Sequence, residues 1–540
     1  MNRARFGLAG ISSVIVLFAL TGGSEAFYVD NAKTLEVSSK AQTRASFRLD
    51  DSEGYTYPDT PTGNLVQHRN LLLLEVNHDL SDLMNTLYLL SPFKALDIRM
   101  KYHVVGRFLY EGIYDYGPDA FQEVREMDKE NIDTFKQSND LWECYIDLSR
   151  GPVFLRAGKQ NLAWGETDMF RLLDYINPVD NTYGGVFEDL DDRRIPLWML
   201  RSSYNLGTVG PVSMATLEAF WVPGFWDVHV SPLSPLGTPY TAPQPILPME
   251  QRPMYPGKKM SNSRWGVRVS GLLGDNLNVS LVHFRTYLDM PVVRLGVTPG
   301  LPFLLSPSDA WQELIFDDVQ ITGASMNYFE QHTGIVFRGE VGMFWDEPVM
   351  IPDINLKLSD TSLPLPPALV DWLSEEMGID LRSLGFDSLP LNPTGGSVPK
   401  KDILRFMVGM DKFLWIRPLN PRTTFMLSLQ YFGQWVPDYD ERMKMPLSIY
   451  PNPMDFVGVR ETEHTFTGMI NTNYLNGKVT PTVAMAYDVR GALLVAPSLA
   501  FIREPFRFTI QYNGVFGNLV NFGAFRDRDQ VTFIFSYLLN

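Results

Sequence analysis

The feature that most constrains the fold is an alternation of apolar and polar residues at period two, repeated in segments of about ten residues. In ALDIRMKYHVVGRFLY, residues 95–110, one face carries Leu96, Ile98, Met100, Tyr102, Val104, Phe108 and Tyr110. The other carries Asp97, Arg99, Lys101, His103, Val105 and Arg107. Successive side chains of a strand point to opposite faces, so this spacing predicts a strand with one apolar and one charged side. Such strands fit a transmembrane barrel, which meets hydrocarbon outside and polar groups inside.

The same alternation returns at Leu141–Leu148, Ile335–Trp345, Ile403–Leu414 and a series of further segments, ending in VTFIFSYLLN at 531–540. The expectation is an all-β, antiparallel transmembrane barrel of about 16 strands (14–18). Length is divided unevenly among the links. Turn-like stretches such as Gly274-Asp275-Asn276 and Gln331-His332-Thr333-Gly334 alternate with long ones near 111–138, 223–260, 289–317, 346–400 and 436–460. Short turns at one rim and long loops at the other are the wiring of outer-membrane barrels.

The N-terminus reads as an export signal. Arg3 and Arg5 precede an apolar run from Phe6 to about Leu20, and Ser24-Glu25-Ala26 forms a small-x-small site, so residues 1–26 are expected to be removed. Residues 27–540 then form a single barrel domain. No later stretch of about 18 apolar residues suggests a helical span, although 45% of residues are hydrophobic and 13% aromatic. The net charge of −16 disfavours nucleic acid as a partner. A single cysteine, Cys144, rules out an intrachain disulfide framework.

Enzymatic signatures are missing from the sequence: there is no Gly-x-Ser-x-Gly elbow, no His-Glu-x-x-His helix and no phosphate-cradling Gly-x-x-x-x-Gly-Lys loop. The expectation is a protein that is not an enzyme and carries no cofactor or metal. Lys33-Thr34-Leu35-Glu36-Val37 faintly resembles the box that contacts an energy transducer, but reads better as an exposed lead-in or a first strand. The proline-rich stretches 230–257 and 290–305 and a helix expected over Pro367–Leu384 place apolar residues in the long loops. On that helix Leu369, Trp372, Leu373, Met377 and Leu381 form one stripe. These loops either pack on one another over the mouth or receive a hydrophobic molecule.

The segment VFLRAGKQNLAWGETDMFRLLDYINPVD, residues 153–180, begins as a strand and becomes polar and turn-rich. The stretch 165–195 is too long and polar for a turn, and is expected to fold into or over the lumen as a constriction. Residues expected to line the lumen or form the constriction are Arg99, Lys101, Arg107, Arg156, Gln160, Trp164, Glu166, Asp168, Arg171, Asp174, Asp180, Asp192, Arg193, Arg194, Arg338, Glu340, Arg405 and Asp411. Opposed charges can line a water-filled pore or pair into a network that seals it.

Gly158-Lys159-Gln160, Trp164-Gly165-Glu166, Asn177-Pro178-Val179-Asp180 and Asp192-Arg193-Arg194-Ile195-Pro196 resemble motifs of an uncharacterised proteobacterial outer-membrane family, domain of unknown function 1302. The alginate-export barrels are similar to a fainter degree. The first resemblance implies a cell outer membrane location, contact with outer-membrane lipid and lipopolysaccharide, and a periplasmic or lipoprotein transport partner. The last strand, with Phe533, Phe535, Tyr537 and Leu539 on one face, resembles the C-terminal signal read by the barrel-assembly machinery. The functional expectation is a channel or transporter for a small or hydrophobic molecule; the alternative is a non-conducting barrel that docks an envelope partner.

Overall fold

The computed structural model describes residues 27–50, 60–81, 83, 93, 96–235, 237–240, 250–297, 310–356, 362–377, 380–382, 388–390, 396–445 and 457–539. The expected export signal, residues 1–26, lies outside them. One sheet of nineteen strands dominates. Its smallest member, Phe27–Tyr28, only flanks the sheet, and the other eighteen form a closed antiparallel wall.

We number the wall strands in chain order: β1 (Leu35–Arg48), β2 (Leu65–Asp79), β3 (Arg99–Glu111), β4 (Gln137–Arg150), β5 (Val153–Gln160), β6 (Leu197–Val209), β7 (Val212–Val222), β8 (Arg264–Leu273), β9 (Leu277–Tyr287), β10 (Asp318–Glu330), β11 (Ile335–Pro348), β12 (Lys400–Leu414), β13 (Phe425–Trp435), β14 (Thr462–Asn471), β15 (Val479–Asp488), β16 (Ala492–Arg503), β17 (Phe506–Gly517) and β18 (Gln530–Leu539). Each pairs with its sequence neighbours. Closure is made by β1 and β18, in register from Ser39 opposite Leu539 to Arg48 opposite Gln530. Because no edge is left, the backbone groups of the wall can pair within the sheet, which lipid would otherwise penalise by several kcal/mol each.

The two faces differ as the alternation requires. Leu217, Val341, Leu429 and Phe533 stand 38–43% exposed on the outside, whereas their neighbours Glu218, Glu340, Ser428 and Thr532 are at most 9% exposed within. Apolar side chains open to the surroundings while polar ones are covered is the reverse of a soluble protein, and suits a wall with hydrocarbon around it.

The eighteen strands stand at the upper end of the expected 14–18, above the central figure of about 16. The sequence reading offers only Lys33–Val37 as a lead-in or first strand, and misses the extent of β1, LEVSSKAQTRASFR. Its outward positions include Ser39, Ala41, Thr43 and Ala45, too small or polar to raise an alternation, and its identity is fixed by pairing with both β2 and β18. Most links at one rim are short, such as Gly151-Pro152 and Gly210-Pro211; at the other lie 112–136, 161–196, 223–263, 288–317, 349–399 and 436–461. Two links break this rule, the short 489–491 on the loop rim and the long 80–98 on the turn rim. The loop helix covers Pro367–Met377. It buries Val370 and Leu373, while Trp372, expected on the buried stripe, is 56% exposed.

Candidate functional site

Between β5 and β6 the chain leaves the wall at Gln160 and returns at Leu197. Gly158 marks the approach: its φ of +138° suits glycine, and a Cβ there would collide with the Cys144 carbonyl of β4. Asn177 then ties the root of the insertion. Its Oδ1 accepts the Leu162 N–H at 2.9 Å, and its Nδ2 donates to the carbonyls of Gln160 and Ile195 at 3.2 and 2.8 Å. Above this staple the two arms pair antiparallel, with the Ile195 N–H donating to Pro178 O and the Asp180 N–H to Arg193 O, both at 2.8 Å. Residues 161–196 thus form a closed loop with its own short helix, Leu190–Arg193.

This loop touches side chains from opposite sides of the barrel, so it lies inside. Trp164 is 1% exposed and donates its indole N–H to Glu218 of β7, with Phe220 and Phe284 edge-on to its ring at 5.2 and 5.9 Å. Burial of such a ring stabilises by about 2–3 kcal/mol, with roughly 0.5–1.5 kcal/mol more for each aromatic pair. Glu340 of β11 accepts the backbone N–H groups of Glu166 and Leu173. Asp168 is paired by Arg338 of β11 at 2.7 and 2.9 Å and accepts from Ser428 and Gln430 of β13. Arg338 also reaches Asp411 and donates to Glu166 O.

On the far side, Glu188 binds Arg44 of β1 at 2.6 Å and Arg69 of β2. Arg44, Arg69 and Glu188 are each at most 8% exposed. Burial alone would raise the Glu188 pKa, but Arg69 and Arg44 outweigh it and hold the carboxyl at about 2. Gln67 of β2 donates to Tyr183 O, and the Tyr183 ring stacks on Phe135 at 4.7 Å. Asp174 behaves differently. Burial raises its pKa despite Arg171 and Arg194, and its Oδ1 has no partner although Arg194 meets Oδ2 at 2.5 Å.

The remaining expected residues divide. Arg171 joins the loop to Asp289 at 2.7 Å, Arg193 donates to Asn181, Asp180 accepts from Thr182, and Asp192 lies 3.5 Å from Lys40. Gln160 donates to Met199 O. Others pair along the wall instead: Arg156 with Asp147, Arg405 with Glu347, and Arg107 lies over the Trp142 ring at 4.0 Å. Lys101 meets Asp79 at the turn rim, and Arg99 is exposed there. Arg44, Arg69, Glu188, Gln67, Asn177, Glu218 and Asp289 were not among the expected site residues. The sequence signals near them are the Asn177-Pro178-Val179-Asp180 motif and the charged run FEDLDDRR at 187–194.

The buried apolar residues Leu162, Trp164, Leu172, Leu173 and Ile176 of the loop share one cluster with wall residues of β6, β7 and β9–β12. A second cluster joins Phe187, Met169 and Phe170 of the loop to wall residues of β15–β17, so apolar packing on two sides and ion pairs and hydrogen bonds to the wall hold the loop together. Water still reaches charged side chains within the wall, with Glu75 39% and Asp168 42% exposed. Among the described residues no group of three His, Cys, Asp or Glu side chains is placed to hold a metal ion.

A closed antiparallel wall of eighteen strands, apolar outside, charged inside and crossed by a folded loop, defines a porin-like β-barrel of the outer membrane. The chain belongs to the family described as "Protein of unknown function (DUF1302)", whose model matches residues 7–539. No curated protein sequence matches it. Its architecture is similar to that of OccK9 (OpdG) of Pseudomonas aeruginosa, 11% identical, with TM-score 0.45 over 95% of this chain and 100% of that one. It is also similar to OccAB1 of Acinetobacter baumannii, 10% identical, TM-score 0.43, 95% and 98% covered. A third likeness is to the outer membrane channel DcaP of Acinetobacter baumannii, 9% identical, TM-score 0.37, 95% and 99% covered.

Proposed function

We propose that this protein is an outer-membrane channel for a small molecule, and that the loop 161–196 is the constriction that sets what passes. The observation that carries this reading is the way the loop is held. Asp168, Glu188 and Arg171 are anchored by ion pairs to Arg338, Arg44, Arg69 and Asp289 on different sides of the bore. Such contacts position a segment without making it part of the sheet, so it can shift while the wall remains closed. The charges that ring it give a passing solute a transverse field, and pore width and lining charge are the usual basis of selectivity.

Deletion of residues 166–192 tests this in planar bilayers. The expected result is a larger, less selective conductance than that of the full-length protein. A barrel that stays closed in both forms would count against a channel. That outcome would favour a second reading, a non-conducting barrel that docks an envelope partner, for which the apolar cluster joining the loop to β6, β7 and β9–β12 is the supporting observation.

A further inference from the structure

The wall is not uniformly high on the loop side. β4 and β3 pair up to Gln137, but β5 reaches only Lys159, opposite Cys144. The seven residues Gln137–Glu143 therefore have β3 on one side and no strand on the other. Elsewhere on this rim a strand outruns its neighbour by three or four residues, as Lys400–Ile403 of β12 does beyond β13 and Leu65–His68 of β2 beyond β3. At about 3.4 Å per residue, steps of that size follow from strand tilt and stagger. The β4 step is about 10 Å deeper than those.

Side chains span this step. Lys159 Nζ donates to the free Leu141 carbonyl at 2.8 Å, and Asn161 Nδ2, at the root of the inserted loop, donates to Glu143 Oε1 at 2.9 Å. Trp142, at the bulge where β4 slips register against β3, lies between Arg107 at 4.0 Å and Lys159 at 5.7 Å. Outside the step, Leu141, Phe108, Leu200 and Trp226 are 38–60% exposed, beside the exposed Gln137 and Asn139 nearer the rim. A backbone ladder in lipid opens only at a cost of several kcal/mol per group, whereas three side-chain links can part without unzipping any strand.

We propose that the seam between β4 and the β5–β6 hairpin is a side passage between the barrel interior and the outer-leaflet rim. It is closed at rest by Trp142, Lys159 and the Asn161–Glu143 bond, and takes molecules with an apolar body and a polar end. This deepens the channel reading by naming a substrate class and a route, and rests on it only for the inner end of the path. Asn161 couples the two, because the residue that links the seam also begins the inserted loop.

The test uses vesicles with lipopolysaccharide in the outer leaflet and the full-length protein, with dansyl-labelled octylamine and arabinose as probes. In a Cys144→Ser background, Glu143→Cys and Asn161→Cys are bridged with a short bismaleimide, and folding is scored by heat-modifiable gel mobility. Bridging is expected to lower octylamine entry to the rate of protein-free vesicles while leaving arabinose entry unchanged. The double variant Trp142→Ala, Lys159→Ala, which needs no bridge, is expected to speed octylamine entry alone. Equal loss of both probes on bridging, or octylamine entry that neither change alters, would overturn the side passage. Octylamine entry that responds as expected without any arabinose entry would instead refute the axial channel and leave the seam standing.

Discussion

Removing the carboxylate of Glu188 is the most direct probe of how the inserted loop is held. Two guanidinium groups, Arg44 and Arg69, lie against it with all three side chains buried. Glu188→Ala leaves both cations without their counter-ion in a site at most 8% exposed. Breaking a buried pair by removing one partner costs about 3–5 kcal/mol. If that cost falls on docking of the loop, the undocked population grows roughly a hundredfold to a few thousandfold. Native-state hydrogen exchange at neutral pH reads this from the amides of Gly185, Phe187 and Arg194, which bond within the loop to Asn181, Gly184 and Leu190. Their exchange should speed by that factor while the paired amides of β1 and β2 keep their protection. The wild type should show the same loss with acid. Glu188 has a folded pKa of about 2 against an ordinary 4.5, so its contribution is complete above pH 4.5 and disappears as pH falls towards 2. Unchanged loop exchange in Glu188→Ala, or loop protection indifferent to that acid range, would refute the ion-pair anchor.

Two further outcomes test neighbouring steps. Gly158→Ala puts a side chain at φ +138° against the Cys144 carbonyl and should cost about 1–3 kcal/mol, seen as a lower transition temperature in heat-modifiable mobility. Arg338→Gln removes the cation shared by Asp168 and Asp411; the reversal potential in a salt gradient should move towards cation preference, and no shift would take this pair out of the ion path.

Fold and site were not equally legible in the sequence. Strands such as β11 and β12 announce themselves because Val341, Met343, Val408 and Met410 recur at period two on a face that needs bulk against hydrocarbon. β1 does not, since Ala41, Thr43 and Ala45 give its outer face little bulk. That omission hid Arg44, and with it one of the two cations against Glu188. The polar character of 165–195 drew attention to the loop, yet the choice of partners depends on register. Arg156 meets Asp147 because those residues stand opposite each other on β5 and β4. Arg405 meets Glu347 across a bulge between β11 and β12. Both details belong to the folded sheet, and a period-two pattern carries no information about them.

Closure has a consequence for how such a molecule can come into being. Every strand pair but one joins neighbours in sequence; β1 and β18 join residues as far apart as Ser39 and Leu539. Until that last pair zips, the growing wall presents two open edges at once, and the ion pairs that seat the inserted loop cannot all exist, because Arg44 lies on one of those edges. Loss of either terminal strand would therefore not give a slightly smaller barrel. It would give an open ribbon with an unanchored loop, so completion should be close to all-or-none.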